Sequence, residues 1–474
     1  MGPVIGEGSY HRRYKMHRFL IGVILAGTLL TGSVWASGYE IPEVGTRAMS
    51  MAMAYTSIAD DPSAVWFNPA AMTHFTGTVA SSGMTGISIP RVKFTGYTSG
   101  SPAQEVVEEA KADLFTPYFM YFVTDMGMEK LRFGLGVNSP FGLAKRWEAG
   151  SSFTSDIISI AVEPVFVNPN IAYQVTPCVS VAAGFTFART TVKLMQAPFN
   201  HFVETDGDYD FNDGDRLFLL DMEATSTGMG FNAAAKGSWL DGKLNLGISY
   251  RSKIDIEFDD GDASISDISS GYLPVDVTGD GIPDPVPVST ALFGTEGLVN
   301  VDDTGKTDLP FPGLLRFGIS YRIMDPLLLA FDYHMTQWSA YEELAIEFDT
   351  FTSLSKIKEK NWEDSNAIRF GAMYTLSELV DLSAGFVRDM NPVPDETLGP
   401  ELPGADRTGL TFGFTVNSGD LPAFSFAFMH LMFDDREVTN LEPPSAENSG
   451  IATGQTGTYE ASANLFSVSL THTF

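Results

Sequence analysis

Hydrophobic and polar residues alternate along much of this chain, over unusually long runs. From Leu244 to Phe258 the even positions are Leu244, Leu246, Ile248, Tyr250, Ser252, Ile254, Ile256 and Phe258, and the odd ones are Asn245, Gly247, Ser249, Arg251, Lys253, Asp255 and Glu257. A period of two places successive side chains on opposite faces of a strand. Strands of soluble proteins usually end after about 5–6 residues, whereas a tilted strand that crosses a bilayer needs roughly 9–11. Comparable runs recur where Val179, Val181, Ala183, Phe185 and Phe187 oppose Ser180, Ala182, Gly184, Thr186 and Ala188, and where Phe466, Val468, Leu470, His472 and Phe474 oppose Ser467, Ser469, Thr471 and Thr473. Small uncharged residues opposite large apolar ones suit a closed barrel, in which every backbone amide pairs with the next strand and none faces lipid.

Compact turn chemistry separates such runs near Asp125, at Val175-Thr176-Pro177, Asp241-Gly242, Met324-Asp325-Pro326, Ser377-Glu378 and Ser418-Gly419-Asp420. Asp-Gly is a strong hairpin signal, and the others use residues suited to tight turns. If these turns and both chain ends lie on one side of the membrane, the count predicts an all-β transmembrane fold, a fourteen-stranded antiparallel outer-membrane β-barrel.

The stretch Asp60 to Thr73, DDPSAVWFNPAAMT, breaks the alternation. Asp61 before Pro62 is a helix start, because Asp accepts from orphan amides and Pro tolerates the first helical position. Asn68-Pro69 stops that helix. Taken alone, the segment also fits a capped helix on the surface of a soluble domain.

Composition sets the compartment. His11, Arg12, Arg13, Lys15, His17 and Arg18 precede an apolar run from Phe19 to Leu30, and Val34-Trp35-Ala36 offers small residues for cleavage before Ser37. This predicts a signal peptide over residues 1–36 and an exported protein, with Met16 as a candidate start that leaves residues 1–15 upstream of it. No Cys follows the cleavage site to carry a lipid anchor, and Cys178 is the only cysteine of the 474 residues, which excludes a disulfide framework. The net charge of -30 excludes nucleic acid as a partner. Most of that charge falls on two connections: Glu204 to Glu223 has eight acidic residues against Arg216, and Asp255 to Asp308 has thirteen against Lys306. They predict long, solvated outer loops near 197–222 and 258–308, placed to meet outer-membrane lipid and cation-bridged lipopolysaccharide.

Val44-Gly45-Thr46-Arg47-Ala48, then SIADDPSAVWFNPAAM with Asn68, Pro69 and Ala70 near its end, resembles the N-terminal hatch of the FadL family of outer-membrane transporters of long-chain fatty acids and hydrocarbons. RFGLGVNSPFG (132–142), ISYRSKIDIEF (248–258), Gln337-Trp338-Ser339, RDMNPVP (388–394) and the terminal Phe474 resemble the family in the same order. The resemblance covers nearly all of 37–474. It implies a small helical hatch over residues 37–75 plugging a barrel that spans 76–474, and a lumen this wide would leak without one. It also implies an inward kink at Pro140, Phe141 and Gly142 that opens the wall sideways; from the residues alone, the strand has equally well reached its outer loop. A hydrophobic ligand is expected between the hatch (Tyr39, Ile41, Val65, Trp66, Phe67) and the wall. A ligand carboxylate needs a cation, for which Arg189 and Lys193 are the candidates, although Gln196 stands where the resemblance leads one to expect a basic residue. Without such a cation, neutral alkanes or aromatics remain open.

The stretch from Asp276 through Asp280 to Asp284 resembles the first part of a calcium loop, with oxygen ligands at alternate positions and Gly281 at the sixth, but Pro287 replaces the closing Glu, so a plain Asp/Gly turn competes with a loop calcium site. No other cofactor is expected. The five histidines of the mature chain are His74, His201, His334, His430 and His472, and there is no G-x-S-x-G, H-E-x-x-H or phosphate loop. The expectation is a non-enzymatic monomer taking up hydrophobic molecules passively in the bacterial outer membrane. A barrel lipase and an unselective porin are the alternatives.

Overall fold

The computed structural model describes residues 38–474, apart from 149, 155, 198–217, 268–271, 276–283, 288–300, 351, 353–354, 418, 420 and 443–452. The expected leader over 1–36 lies outside the described residues. Twenty-two strand segments form one antiparallel sheet. It closes because the first strand, Thr78–Thr98, pairs with the last, Gln455–Thr473, from Val79↔Thr473 to Thr98↔Gln455. Several strands bend and resume, so the segments make fourteen wall strands. The six expected turns join neighbours on one rim: Tyr118–Thr124 to Leu131–Asn138, Ser159–Thr176 to Val179–Gln196, Phe218–Trp239 to Leu244–Arg251, Gly313–Met324 to Leu327–Gln337, Ser365–Ser377 to Val380–Asp389, and Arg407–Val416 to Ala423–Phe433.

The register shows where the wall leaves the bilayer. One outward row across the third to sixth strands reads Val137, Val167, Phe187 and Met229. Phe187 and Met229 are 45% and 69% exposed, as lipid-facing side chains must be. Two residues higher, the same face carries Arg189 and Thr227, then Glu163, Thr191 and Thr225, then Lys193 and Glu223. The inner face changes the other way. Low in the barrel it carries Asn170, Gly184 and Asn232; higher up come Val162, Val192 and Ala224, then Ile160, Leu194 and Met222. Inside and outside exchange polarity because water replaces lipid around the upper wall.

Two strands make this exchange by shifting parity. The run Leu244–Phe258, which the alternation predicts as one strand, is two segments, Leu244–Arg251 and Ile254–Asp267. Leu246 and Ile248 are exposed on the outer face, whereas Ile254, Ile256 and Phe258 are buried inside. The next strand shifts at Pro312, which has no amide to give the ladder, so that Leu309 and Phe311 above it and Leu314 and Arg316 below it are all buried. Uninterrupted alternation would place Ile254 in water. The acidic connections are also shorter than expected near 197–222 and 258–308, because Phe218–Trp239, Ile254–Asp267 and Val301–Phe311 are wall. Asp221, Glu223, Asp255 and Glu257 stand on the outer face of these strands.

Residues 38–75 lie within the barrel in three short helical turns, Thr46–Ser50, Ala64–Phe67 and Pro69–His74. Asn68 ends the second and caps the third, its Oδ1 accepting from Ala70 N at 3.1 Å. Its Nδ2 donates to Thr56 O at 2.8 Å and to Ala235 O of the wall at 3.2 Å. Further bonds tie the segment around the wall: Thr46 with Ser467, Thr73 with Ser180, Tyr121 to Val44 O, and the Tyr55 and Thr56 amides to Asp332.

Candidate functional site

The third wall strand is broken. Leu131–Asn138 resumes as Leu143–Arg146, and its ladder to the fourth strand stops at Asn138↔Phe166 and restarts at Leu143↔Val162. Toward the second strand, pairing stops at Phe119↔Asn138 and returns only as the single bridge Ala110↔Trp147. The proline at 140 cannot donate and Gly142 is permissive, as a break requires. The start of the N-terminal segment occupies the gap: Ile41 N donates to Pro140 O at 2.7 Å, Gly142 N donates to Tyr39 O at 2.8 Å, and Glu40 bridges Phe141.

Phe141 turns inward onto an aromatic cluster. Its ring centroid is 5.0 Å from Phe311, 5.8 Å from Phe166 and 6.1 Å from Tyr39, and Tyr39 lies 4.6 Å from Trp338. The Tyr39 hydroxyl donates to Pro310 O. Bordering this cluster is a largely apolar space with an open mouth, lined by Leu143, Val162, Val192, Leu194, Met222, Leu309, Ile346 and Leu402 among others. The connection at 390–406 spans its upper end. Trp147 Nε1 donates to Pro400 O at 3.1 Å, Gln455 Nε2 and Asn440 Nδ2 donate to Leu398 O at 3.1 and 3.0 Å, and Arg436 Nη2 donates to Val393 O at 2.7 Å. Glu401 on this connection pairs with Lys360, with Lys358 Nζ 3.8 Å away. Burial pushes the Glu401 carboxyl up, but the two lysines outweigh it and hold it well below the usual range. At Gly399 the Glu401 carboxylate lies where a Cβ would be.

The expected ligand residues divide. Tyr39 lines the space. Trp66 and Phe67 lie deeper in the segment, with Trp66 under the Arg251 guanidinium at 3.8 Å from the ring centroid and Phe67 edge-on to Tyr55 at 5.7 Å. Arg189 faces outward and is exposed, since its strand turns even positions inward; it is no lumen cation. Lys193 stands at the margin on the outer face, 46% exposed and 3.6 Å from Glu163, so its charge is already met. Gln196 is buried. The buried basic groups include Lys360, Arg251 and Arg316, along with Arg132, Lys145, Lys236, Arg369 and Arg407, none of which the sequence marks as a ligand cation. Arg251 occupies the polar face of its alternation, the one signal that marked it for the interior. Asp276 and Asp280 lie outside the described residues, and Asp284 begins a short strand, Asp284–Pro287, paired with Tyr272–Val275. Among the described residues, no His, Cys, Asp and Glu side chains are grouped to hold a metal ion.

A closed membrane wall, its own N-terminal segment inside it and an apolar space against that segment define an outer-membrane transport barrel for hydrophobic compounds. The chain belongs to the outer membrane protein transport protein family (OMPP1/FadL/TodX), whose model matches residues 27–474. It is 23% identical to outer membrane protein P1 of Haemophilus influenzae, over 97% of this chain and all of that one. Its fold is similar to a Pseudomonas aeruginosa FadL homologue (TM-score 0.74, 19% identity, 92% of this chain and 100% of that one). It is also similar to the P. putida toluene transporter TodX (TM-score 0.66, 15% identity, 92% and 99%). Members of the family are transport channels, so the chain is a transporter and not an enzyme.

Proposed function

We propose that the protein takes up long-chain fatty acids or other hydrophobic molecules passively, as a monomer. A molecule enters beneath the 390–406 connection, binds in the apolar space above the aromatic cluster, and leaves sideways through the wall at Pro140, Phe141 and Gly142 when the N-terminal segment, acting as a hatch, withdraws. The observation that carries this reading is the pairing of residues 39–41 with 140–142, in the break beside the space. The toluene transport named for TodX keeps aromatic hydrocarbons within the class. The acidic outer face of the upper wall, including Glu163, Glu223, Asp255 and Glu257, stands where cation-bridged lipopolysaccharide lies.

The test is a disulfide between positions 40 and 141 (Glu40→Cys and Phe141→Cys in a Cys178→Ser background). Cells oxidised to close it are expected to lose uptake of radiolabelled hexadecane and of radiolabelled palmitate at low concentration, and to regain it on reduction. Unchanged uptake of both probes in the oxidised cells removes the sideways route.

A further inference from the structure

The polar end of the apolar space contains Lys360, Glu401 and Trp362, and two of its buried atoms have no hydrogen-bond partner among the described residues. Lys360 Nζ donates to Glu401 Oε1, and Lys358 Nζ approaches the same oxygen at 3.8 Å. Both cations are thus committed to one carboxylate oxygen. The other, Oε2, is buried and accepts from no donor among the described residues. The Trp362 indole Nε1 is likewise buried and donates to nothing among them. Trp362 is 5% exposed and is held edge-on by Trp338 and Tyr341, each with its ring centroid 5.0 Å away. Trp362 and Glu401 both line the space.

An unmet buried polar atom carries a desolvation cost, so a ligand that answers both gains over one that answers neither. The complement of a lone acceptor and a lone donor is a group that donates and accepts, and a hydroxyl is the smallest that does. An alkane leaves both atoms unmet. An ionised carboxylate accepts only, and beside Glu401 it meets a like charge whose lysines are already engaged.

We infer that this space is a site for a neutral hydrophobic molecule bearing a hydroxyl group, such as a straight-chain alcohol, taken in preference to a carboxylate of the same length, with Glu401 and Trp362 as the specificity-determining residues. This rests on the reading of the space as the ligand pocket.

The test uses the full chain in lipid nanodiscs and radiolabelled 1-dodecanol, dodecanoate and dodecane at pH 7, with partitioning into protein-free discs subtracted. Dodecanol is expected to bind about tenfold more tightly than dodecanoate. Trp362→Phe keeps a ring against Trp338 and Tyr341 and removes the donor; it is expected to weaken dodecanol about fivefold and leave dodecane unchanged. Glu401→Gln releases Lys360 and is expected to raise dodecanoate binding. Dodecanoate equal to or tighter than dodecanol, or dodecanol indifferent to Trp362→Phe, overturns the inference while the pocket stands. If none of the three binds, the pocket reading falls with it.

Discussion

Arg251 shows how one side chain holds the N-terminal segment to the wall. Its Nη2 donates to Val65 O and Trp66 O at 2.9 Å each, its Nη1 donates to Asn168 Oδ1 at 3.0 Å, and the Trp66 ring faces the guanidinium. Carbonyl dipoles and a π face replace a counter-ion. Arg251→Ala is expected to destabilise the segment by about 2–4 kcal/mol, read as faster amide exchange at 64–72 with exchange in Val380–Asp389 unchanged. Arg251→Lys is expected to fall between, because an ammonium lacks the planar fork that reaches both carbonyls and Asn168. Equal exchange in the alanine variant and the native chain removes this role. The sequence shows Arg251 only as a polar position in an alternation, since these partners lie between 83 and 186 residues away in the chain. Asn68, Pro69 and Ala70 are legible because capping is local. Arg189 was misplaced for the complementary reason: alternation separates two faces without saying which of them looks inward.

At the scale of the strand, the exchange of polarity makes the membrane boundary measurable. Phe231 lies on the outer face two residues below Met229, and Thr225 lies on the same face four residues above it. Phe231→Arg is expected to cost about 2–4 kcal/mol and Thr225→Arg about 0–1, measured by denaturant titration in lipid vesicles. Equal costs place the boundary elsewhere. Strand character was readable from period two and from run length, and the six turns from their residue types. The parity shifts at Ser252-Lys253 and Pro312 were not. A local pattern reports alternation but not the solvent on each side, and Ser252 fits either face of an unbroken strand.

For the whole molecule, the strand count was readable because short turns on one rim must equal half the strands less one when both ends share that rim. Closure itself was not, since the pairing of Thr78–Thr98 with Gln455–Thr473 joins opposite ends of the chain. The long-range bonds of residues 38–75 were equally invisible. Deleting residues 38–75 is expected to turn a silent barrel into one of large, steady conductance in planar bilayers, with barrel formation checked by heat-dependent gel mobility. A truncated barrel that stays silent means that something other than the segment closes the lumen. The break at 139–142 lies opposite 163–165, the level at which the outer face passes from Phe187 to Arg189. A molecule released there arrives at the rim of the hydrocarbon layer and needs no path through its middle. On the proposed sideways route, the obstacle the barrel removes is therefore the hydrated coat above the lipid, and its working distance is set by the height of the wall standing in water, independent of bilayer thickness.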